Sequence, residues 1–215
     1  MLSKPNVLMA TLVISTLFSN AHATSFQEGT QYIKLNTVSS EAPDVVEFFS
    51  FYCGPCNLFN ETYHIGNTIR SNLPDGAQFV KYHVGAMGSL GNELTEAWSV
   101  AMVLGIQDKI EKPLFEGVQK DRAINSIQDI EKVFNTAGIT PQQYEKTRGS
   151  LPVKSLIYKQ NEAVKSLRVT GTPAVYVSGK YLINNGGVSL SSGDSIELYP
   201  KRFSSLVNYL LIEQP

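Results

Sequence analysis

Two cysteines, Cys53 and Cys56, lie three positions apart, and the sequence of 215 residues contains no other cysteine. A disulfide between such close neighbours closes a very small loop, so it would add little stability to the fold. The pair is better explained by redox chemistry, in which a thiolate attacks a disulfide sulfur or leaves from it. The same spacing also occurs in half of a zinc site, so the surrounding residues must distinguish the two chemistries.

A structural zinc site needs four ligands, which usually come from two cysteine pairs or from one pair and two histidines. Beyond the N-terminal leader described below, the only histidines are His64 and His83. We predict a helix around His64 and a strand around His83, and their spacing does not fit a zinc motif. We therefore expect no metal and no cofactor apart from a redox-active Cys53–Cys56 disulfide.

The cysteine pair follows an apolar run, residues 45–51, whose β-branched and aromatic side chains predict a buried central strand. A helix after this strand would place Cys53 at its N-terminus, where free N–H groups and the helix dipole favour a negative charge. This arrangement would lower the pKa of the Cys53 thiol. Cys56 lies one turn further in and would be more buried. We therefore predict Cys53 as the nucleophile and Cys56 as the resolving thiol.

Gly54 and Pro55 separate the two cysteines. Pro55 suits the first turn of a helix, where its missing N–H costs nothing. Gly54 has no side chain, which would leave Cys53 open to a partner molecule. Ordinary turn chemistry also explains both residues, and the two interpretations are compatible.

Glu47 is the one charged residue of the predicted central strand. If its side chain enters the core, desolvation raises its pKa, and it would carry a proton for the deeper thiol. The alternative is a carboxylate that faces solvent from the sheet. A central strand is buried on both faces and unpaired buried charges are rare, so we favour the proton-carrier role.

Thr172 and Pro173 precede another predicted strand and form a second candidate site. An X–Pro bond in a tight turn can be cis. A cis proline opposite the cysteines would expose backbone groups with which a substrate strand can pair. The alternative is an ordinary trans proline that opens the strand.

The strands and helices that we predict around these residues indicate an α/β fold. We predict strands at 32–35, 45–51 and 78–84, with a helix from Cys56 to a turn at 74–76, and this order suggests a βαβ unit. Helical patterns follow at 94–102, 113–119, 127–137, 142–148 and 153–167, and a hairpin at 174–183 precedes a helix at 200–212. We therefore predict a discontinuous α/β domain, residues 24–85 and 168–215, with an inserted helical domain, residues 86–167.

The first 23 residues form a predicted leader outside the fold. Lys4 precedes an uncharged, mostly apolar stretch at 7–18, and Ala21-His22-Ala23 provides a signal-peptidase site. The apolar stretch is shorter than the roughly 20 residues of a membrane helix, which disfavours an anchor. We therefore expect an exported protein in an oxidising compartment. The formal net charge of −1 gives no reason to expect a nucleic acid partner.

Several segments, in the same order along the chain, resemble the DsbA family of periplasmic dithiol oxidases. The matching segments are VEFFSF at 46–51, KYHV at 81–84, AWSVAM at 97–102, PLFEGVQK at 113–120, VKSL at 153–156 and VSGKY at 177–181. The resemblance implies a thioredoxin fold with an inserted helical domain, and oxidation of reduced or unfolded exported proteins in the periplasm. It also implies re-oxidation by a quinone-linked membrane oxidase of the DsbB type, and we expect a monomer.

The same resemblance assigns roles to individual residues. It implies that Cys53 is the nucleophile of a strong oxidant and Cys56 its partner. It further implies that Glu47 is a buried acid with Lys81 nearby, and that Pro173 is the cis-proline.

The motif itself departs from the family, whose usual dipeptide between the cysteines is Pro-His. Gly54-Pro55 is the dipeptide of thioredoxin, a reductant. A histidine can donate to the thiolate or place positive charge near it, whereas proline does neither, so we expect a less acidic Cys53 and a weaker oxidant. Thr172 replaces a common valine, and we expect its hydroxyl at a cysteine sulfur. The alternatives are a disulfide reductase or isomerase, or a chaperone-like protein that binds unfolded chains.

Overall fold

The structure is a computed structural model that describes residues 26–36, 42–188, 190 and 194–215. The predicted leader lies outside these residues. The described strands are β1 (Tyr32–Lys34), β2 (Val45–Phe49), β3 (Phe79–His83), β4 (Ala174–Val177) and β5 (Tyr181–Ile183). The described α-helices are α1 (Gly54–Asn57), α2 (Ile65–Asn72), α3 (Gly91–Leu104), α4 (Gln107–Phe115), α5 (Ile127–Thr136), α6 (Pro141–Arg148), α7 (Leu151–Ser166) and α8 (Leu198–Ile212). Two π-helical turns, Leu58–Thr62 and Glu116–Lys120, follow α1 and α4, and a 3-10 turn, Asn185–Val188, follows β5.

Within the described residues the strands form one mixed sheet in the order β1-β5-β4-β2-β3. Strands β2 and β3 are parallel, as the βαβ pattern predicts, and the other neighbouring strands are antiparallel. The hairpin between β4 and β5 turns at Ser178 and Gly179, which both have positive φ angles. All five residues of β2 are buried, which confirms the central strand predicted from its apolar run.

Helices cover both faces of the sheet. On one face, Val45 and Val175 pack in a cluster with apolar residues of α2 and α8, including Ile69 and Phe203. On the other face, the cluster contains Phe48 and Tyr82 from the sheet and Leu167 from the end of α7. This burial on both faces explains the near-continuous apolar sequence of β2. The predicted α/β class is confirmed.

The segment after the cysteines differs from the single helix that we predicted there. Helix α1 runs directly into the π-helical turn, which ends at Thr62 with Tyr63 as its C-cap, and His64 then adopts a left-handed conformation with φ of 50°. A right-handed helix cannot continue through such a residue, so α2 begins separately at Ile65. The prediction of one continuous helix was therefore wrong.

Helices α3 to α7 lie between β3 and β4 in the chain, where the periodic apolar pattern predicts a helical block. Their core contains Trp98, Phe115 and Phe134, and the same cluster includes both cysteines. The active-site motif therefore packs against the inserted helices as well as the sheet. Among the described residues, none of the helices has both the length and the apolar character needed to cross a membrane.

Candidate active site

Cys53 and Cys56 are joined in a disulfide at the start of α1. Cys53 is the N-cap of this helix, and its Sγ accepts a hydrogen bond of 3.2 Å from the backbone N–H of Cys56. Cys53 keeps 4% of its surface exposed, whereas Cys56 is fully buried. An incoming thiolate therefore reaches Cys53 first, and a negative charge released on Cys53 meets a backbone donor.

Gly54 and Pro55 occupy the exposed first turn of α1. Pro55 lies within the first two helical positions, where no intrahelical N–H bond is lost. A Cβ atom added at Gly54 would meet no other atom within 4 Å, so packing does not require glycine there. This turn forms an open surface beside the disulfide.

The loop at Thr172 and Pro173 lies directly against the disulfide. The peptide bond between these residues is cis, and the Thr172 carbonyl oxygen is 3.3 Å from Cys53 Sγ. The Thr172 hydroxyl was expected at a cysteine sulfur, but it donates instead to Met87 Sδ at 3.8 Å. On the other side, the amide of Asn185 donates to the Pro173 carbonyl oxygen at 2.8 Å.

A cavity of about 360 Å³ opens beside this loop. Its lining includes Thr172, Pro173 and Asn185, together with apolar side chains such as Ile33 and Leu182. Ile33 is 47% exposed. The cavity therefore places apolar surface beside the cis-proline loop that contacts Cys53.

Glu47 and Lys81 lie side by side in the parallel pair β2–β3, with Lys81 Nζ 3.5 Å from Glu47 Oε1. Both residues are buried, with 1% and 4% of their surfaces exposed. A third charged group, Glu111 of α4, forms a hydrogen-bonded ion pair with Lys81. Asn60 Oδ1 also accepts from Lys81 Nζ at 3.3 Å. We call Glu47, Lys81 and Glu111 the buried charge cluster.

Burial and the neighbouring charges shift the pKa values of Glu47 and Lys81 in opposite directions. Burial raises the pKa of Glu47, and the Lys81 ammonium reduces this effect without cancelling it. Burial tends to lower the pKa of Lys81, but the charges of Glu47 and Glu111 outweigh it, so the pKa is raised. Lys81 therefore stays charged, and Glu47 holds a proton more readily than an exposed glutamate does.

Two residues outside the motif hold the backbone that leads into Cys53. His83 is fully buried, and its Nε2 accepts from the backbone N–H of Phe51 at 3.1 Å. The Nδ1–H then donates to Thr95 Oγ1 at 2.8 Å, which fixes the neutral tautomer. Gln119, in the π-helical turn after α4, donates to the carbonyl oxygens of Phe51 and Cys53 at 2.7 and 3.0 Å.

Neither the burial of Glu111 nor the structural role of His83, which we considered only as a metal ligand, was predicted from the sequence. Glu111 looks like any charged residue of a surface helix, and no local pattern marks its burial. Gln119 lies in one of the segments that carry the family resemblance, which is a weak signal that it has a role. The structure uses both ring nitrogens of His83 in hydrogen bonds to protein groups.

A helix-capping disulfide with one slightly exposed cysteine exchanges with other thiols, and on this sheet it defines the class of thioredoxin-fold thiol–disulfide oxidoreductases. The model of the DSBA-like thioredoxin domain family matches residues 44–192. The chain belongs to the DsbA family, and it oxidises thiols to disulfides through Cys53 and Cys56.

Individual relatives are similar over nearly the whole chain. The thiol:disulfide interchange protein DsbA of Salmonella typhimurium is 43% identical over 192 residues, which cover 89% of this chain and 91% of that protein. The crystal structure of DsbA from Klebsiella pneumoniae has a TM-score of 0.84 and 44% identity, and covers 88% of this chain and 99% of that chain. A complex of Proteus mirabilis DsbA with a non-covalently bound peptide, PWATCDS, has a TM-score of 0.83 and 39% identity, and covers 87% and 99% of the two chains.

Proposed function

We propose that Cys53 accepts thiolates from reduced, unfolded exported proteins, and that Cys56 is the resolving thiol that leaves and re-forms the disulfide. The observation that carries this proposal is the difference in exposure, because only Cys53 retains accessible surface at the helix N-terminus. The Cys56 N–H at 3.2 Å supports it, since this group stays in place to stabilise a Cys53 thiolate.

The reaction proceeds through two exchanges. A substrate thiolate attacks Cys53 Sγ, the Cys53–Cys56 bond breaks, and Cys56 leaves with the electron pair as a thiolate. A second substrate thiolate attacks the substrate sulfur of the mixed disulfide, and Cys53 leaves as a thiolate. The substrate gains one disulfide, and the enzyme keeps two electrons in its reduced cysteine pair.

Glu47 serves these steps as the proton carrier. The Cys56 thiolate leaves into a fully buried site, where an unprotonated sulfur is costly. A buried carboxyl group whose pKa is raised by burial holds a proton more readily than an exposed one and can supply it to that sulfur. The Lys81 ammonium, 3.5 Å from Glu47 Oε1, stabilises the carboxylate that remains once the proton is given up.

The loop at Thr172 and Pro173 binds the substrate backbone. The Thr172 carbonyl oxygen, 3.3 Å from Cys53 Sγ, is placed to pair with an extended segment on either side of the substrate cysteine. The adjacent cavity of about 360 Å³ accommodates an apolar side chain of that segment. The peptide complex of the Proteus mirabilis relative supports a peptide ligand for this fold.

The setting of the reaction is the periplasm, where the mature chain acts as a monomer after removal of residues 1–23. A quinone-linked membrane oxidase of the DsbB type takes the two electrons and restores the disulfide. Residues 24–85 and 168–215 form the domain that carries Cys53, and residues 86–167 form the inserted helical domain that covers it. The relatives named DsbA support this setting.

The test uses a pair of variants and a peptide whose single cysteine is joined to glutathione in a mixed disulfide. In Cys56→Ser the Cys53 thiolate should attack the peptide sulfur and release glutathione as a thiolate, and the mixed disulfide that remains between Cys53 and the peptide is measured by mass spectrometry without reductant. Cys53→Ser should form no adduct under the same conditions, because Cys56 has no exposed surface. An adduct on Cys56 in place of Cys53 would reverse the two roles.

Gly54-Pro55 favours one competing function, a disulfide reductase. The equilibrium of the protein with glutathione separates the two, since an oxidase holds a less stable disulfide than a reductase does. A chaperone-like function predicts a different result, because Cys53→Ser would then still suppress aggregation of unfolded chains as well as the unaltered protein.

A further inference from the structure

The buried charge cluster joins helix α4 of the inserted segment to the sheet. Glu47 comes from β2, Lys81 from β3 and Glu111 from α4. All three are buried, with Glu111 at 6% exposure. Lys81 Nζ also lies 4.8 Å from the centre of the Phe49 ring, so apolar surface encloses the ammonium group on that side.

The cluster contains two carboxyl groups and one ammonium group, so full ionisation would leave one uncompensated negative charge in the core. Among the described residues, no second cation forms an ion pair with the cluster. The charge of Arg70, on α2, acts on Glu47, but Arg70 packs over the ring of Phe79. Lys112 pairs with Glu61 near the surface at 3.7 Å, with 59% of its side chain exposed. Protonation of one carboxyl group would remove this charge, so burial favours one proton on the cluster.

The contacts distinguish the two carboxyl groups. Glu111 Oε1 accepts directly from Lys81 Nζ. Glu47 Oε1 lies 3.5 Å from the same nitrogen and has no hydrogen-bond partner, although it is buried. The ammonium group is thus bound by Glu111, and the carboxyl group with the poorer contact is the one that is cheaper to protonate.

We propose that Glu111 is a positioning residue that binds the Lys81 ammonium and thereby leaves Glu47 to carry a proton. This inference deepens the proposed function, in which Glu47 serves the exchange at Cys56. Burial raises the pKa of Glu47 in agreement with this division of charge. The inserted helical segment therefore controls a proton on the sheet, since α4 supplies the residue that holds the lysine.

The test is a titration of Glu47 by carbon NMR in the disulfide form of the full mature chain. Glu111→Gln removes the charge of Glu111 and frees Lys81 to pair with Glu47. Both changes favour the ionised form of Glu47, so its titration midpoint should fall by about 1 to 3 pH units. The Glu47 resonance is assigned from its loss in Glu47→Gln.

Two further variants separate charge from structure. Glu111→Asp keeps the charge and should keep the midpoint close to that of the unaltered chain, even if packing is loosened. Asp108→Asn removes an exposed carboxylate from the same helix and should leave the Glu47 midpoint unchanged. A midpoint that stays in place in Glu111→Gln, or that falls equally in Glu111→Asp, overturns the proposal.

The titration needs no substrate, so its outcome is independent of the roles proposed for the two cysteines. Failure of Cys56→Ser to trap an adduct on Cys53 would overturn those roles and leave this charge arrangement standing. Conversely, an unchanged Glu47 midpoint in Glu111→Gln overturns the role of Glu111 while the trapped adduct still supports the exchange mechanism.

Discussion

The side-chain amide of Gln119 donates to the carbonyl oxygen of Cys53 at 3.0 Å, although the two residues are 66 positions apart. The same amide nitrogen donates to the Phe51 carbonyl oxygen at 2.7 Å. The turn after α4 therefore holds the backbone on both sides of Tyr52. Because Cys53 is the N-cap of helix α1, this contact sets the position of the reactive sulfur relative to the inserted helices.

Gln119→Ala should loosen the backbone around Cys53. The two carbonyl oxygens lose a partly buried donor, so the free energy of unfolding should fall by about 1 to 3 kcal/mol. The second-order rate of exchange with a reduced peptide should fall as well, because the sulfur is held less firmly. Denaturant unfolding and stopped-flow fluorescence measure the two effects. The control is Gln142→Ala, an exposed glutamine of α6, and a loss of equal size in that variant would contradict the prediction.

His83 should make the stability of the protein depend on pH. Burial lowers the pKa of its imidazole from 6.5 to about 3 in the folded chain. Between these values the unfolded chain binds a proton that the folded chain does not, so the free energy of unfolding decreases as the pH falls. The decrease should be about 1.4 kcal/mol per pH unit.

His83→Gln isolates this contribution. A glutamine oxygen can still accept from the Phe51 N–H, but the side chain does not titrate. The variant should be less stable than the unaltered chain at pH 7, and the difference should shrink as the pH falls below 6.5. Denaturant unfolding at a series of pH values measures it. His64→Gln, at an exposed position, serves as the control, and a constant difference between His83→Gln and the unaltered chain would refute the assignment.

The local parts of the site could be predicted from the sequence. The apolar run of β2 and the position of the cysteines after it predict a buried strand that leads into a helix, and β2 and α1 have this arrangement. The hairpin turn could also be predicted, because serine and glycine are common turn residues. Ser178 and Gly179 both have the positive φ angles of such a tight turn.

The contacts over long sequence separations could not be predicted. Glu111 is 30 positions from Lys81, and Gln119 is 68 positions from Phe51. Helical periodicity indicates which face of a helix is apolar, but it does not indicate which strand that face will meet. The break at His64 was also missed, because a left-handed residue inside a helical pattern has no distinctive composition unless it is glycine.

Gly88→Ala should disturb the residue that precedes Cys53. Gly88 has a φ angle of 71°, and an added Cβ atom would overlap the ring of Tyr52, whose hydroxyl accepts from the Leu90 N–H at 3.2 Å. Alanine adopts a positive φ angle less readily than glycine does, and displacement of the Tyr52 ring would break this hydrogen bond. Gly76→Ala is the matched control, because Gly76 has a φ angle of 83° but open space around it.

The free energy of unfolding should therefore fall further in Gly88→Ala than in Gly76→Ala, by about 1 kcal/mol. Only Gly88→Ala should change the rate at which the reduced protein reacts with a thiol reagent at Cys53. Equal losses of stability with no change in that rate would show that Tyr52 has no part in positioning the sulfur.

Replacing Gly54-Pro55 with Pro-His, as Gly54→Pro combined with Pro55→His, should make the protein a stronger oxidant. A histidine in the exposed first turn of α1 can donate to the Cys53 thiolate or place positive charge beside it, which lowers the pKa of the thiol and stabilises the reduced form. Each unit of decrease in pKa corresponds to about a tenfold change in thiol ionisation. Thiolate absorbance and equilibration with glutathione measure the two quantities, and Gly54→Pro alone controls for backbone stiffness. If the double variant has the same glutathione equilibrium as the unaltered chain, the dipeptide does not determine the oxidising strength of this protein.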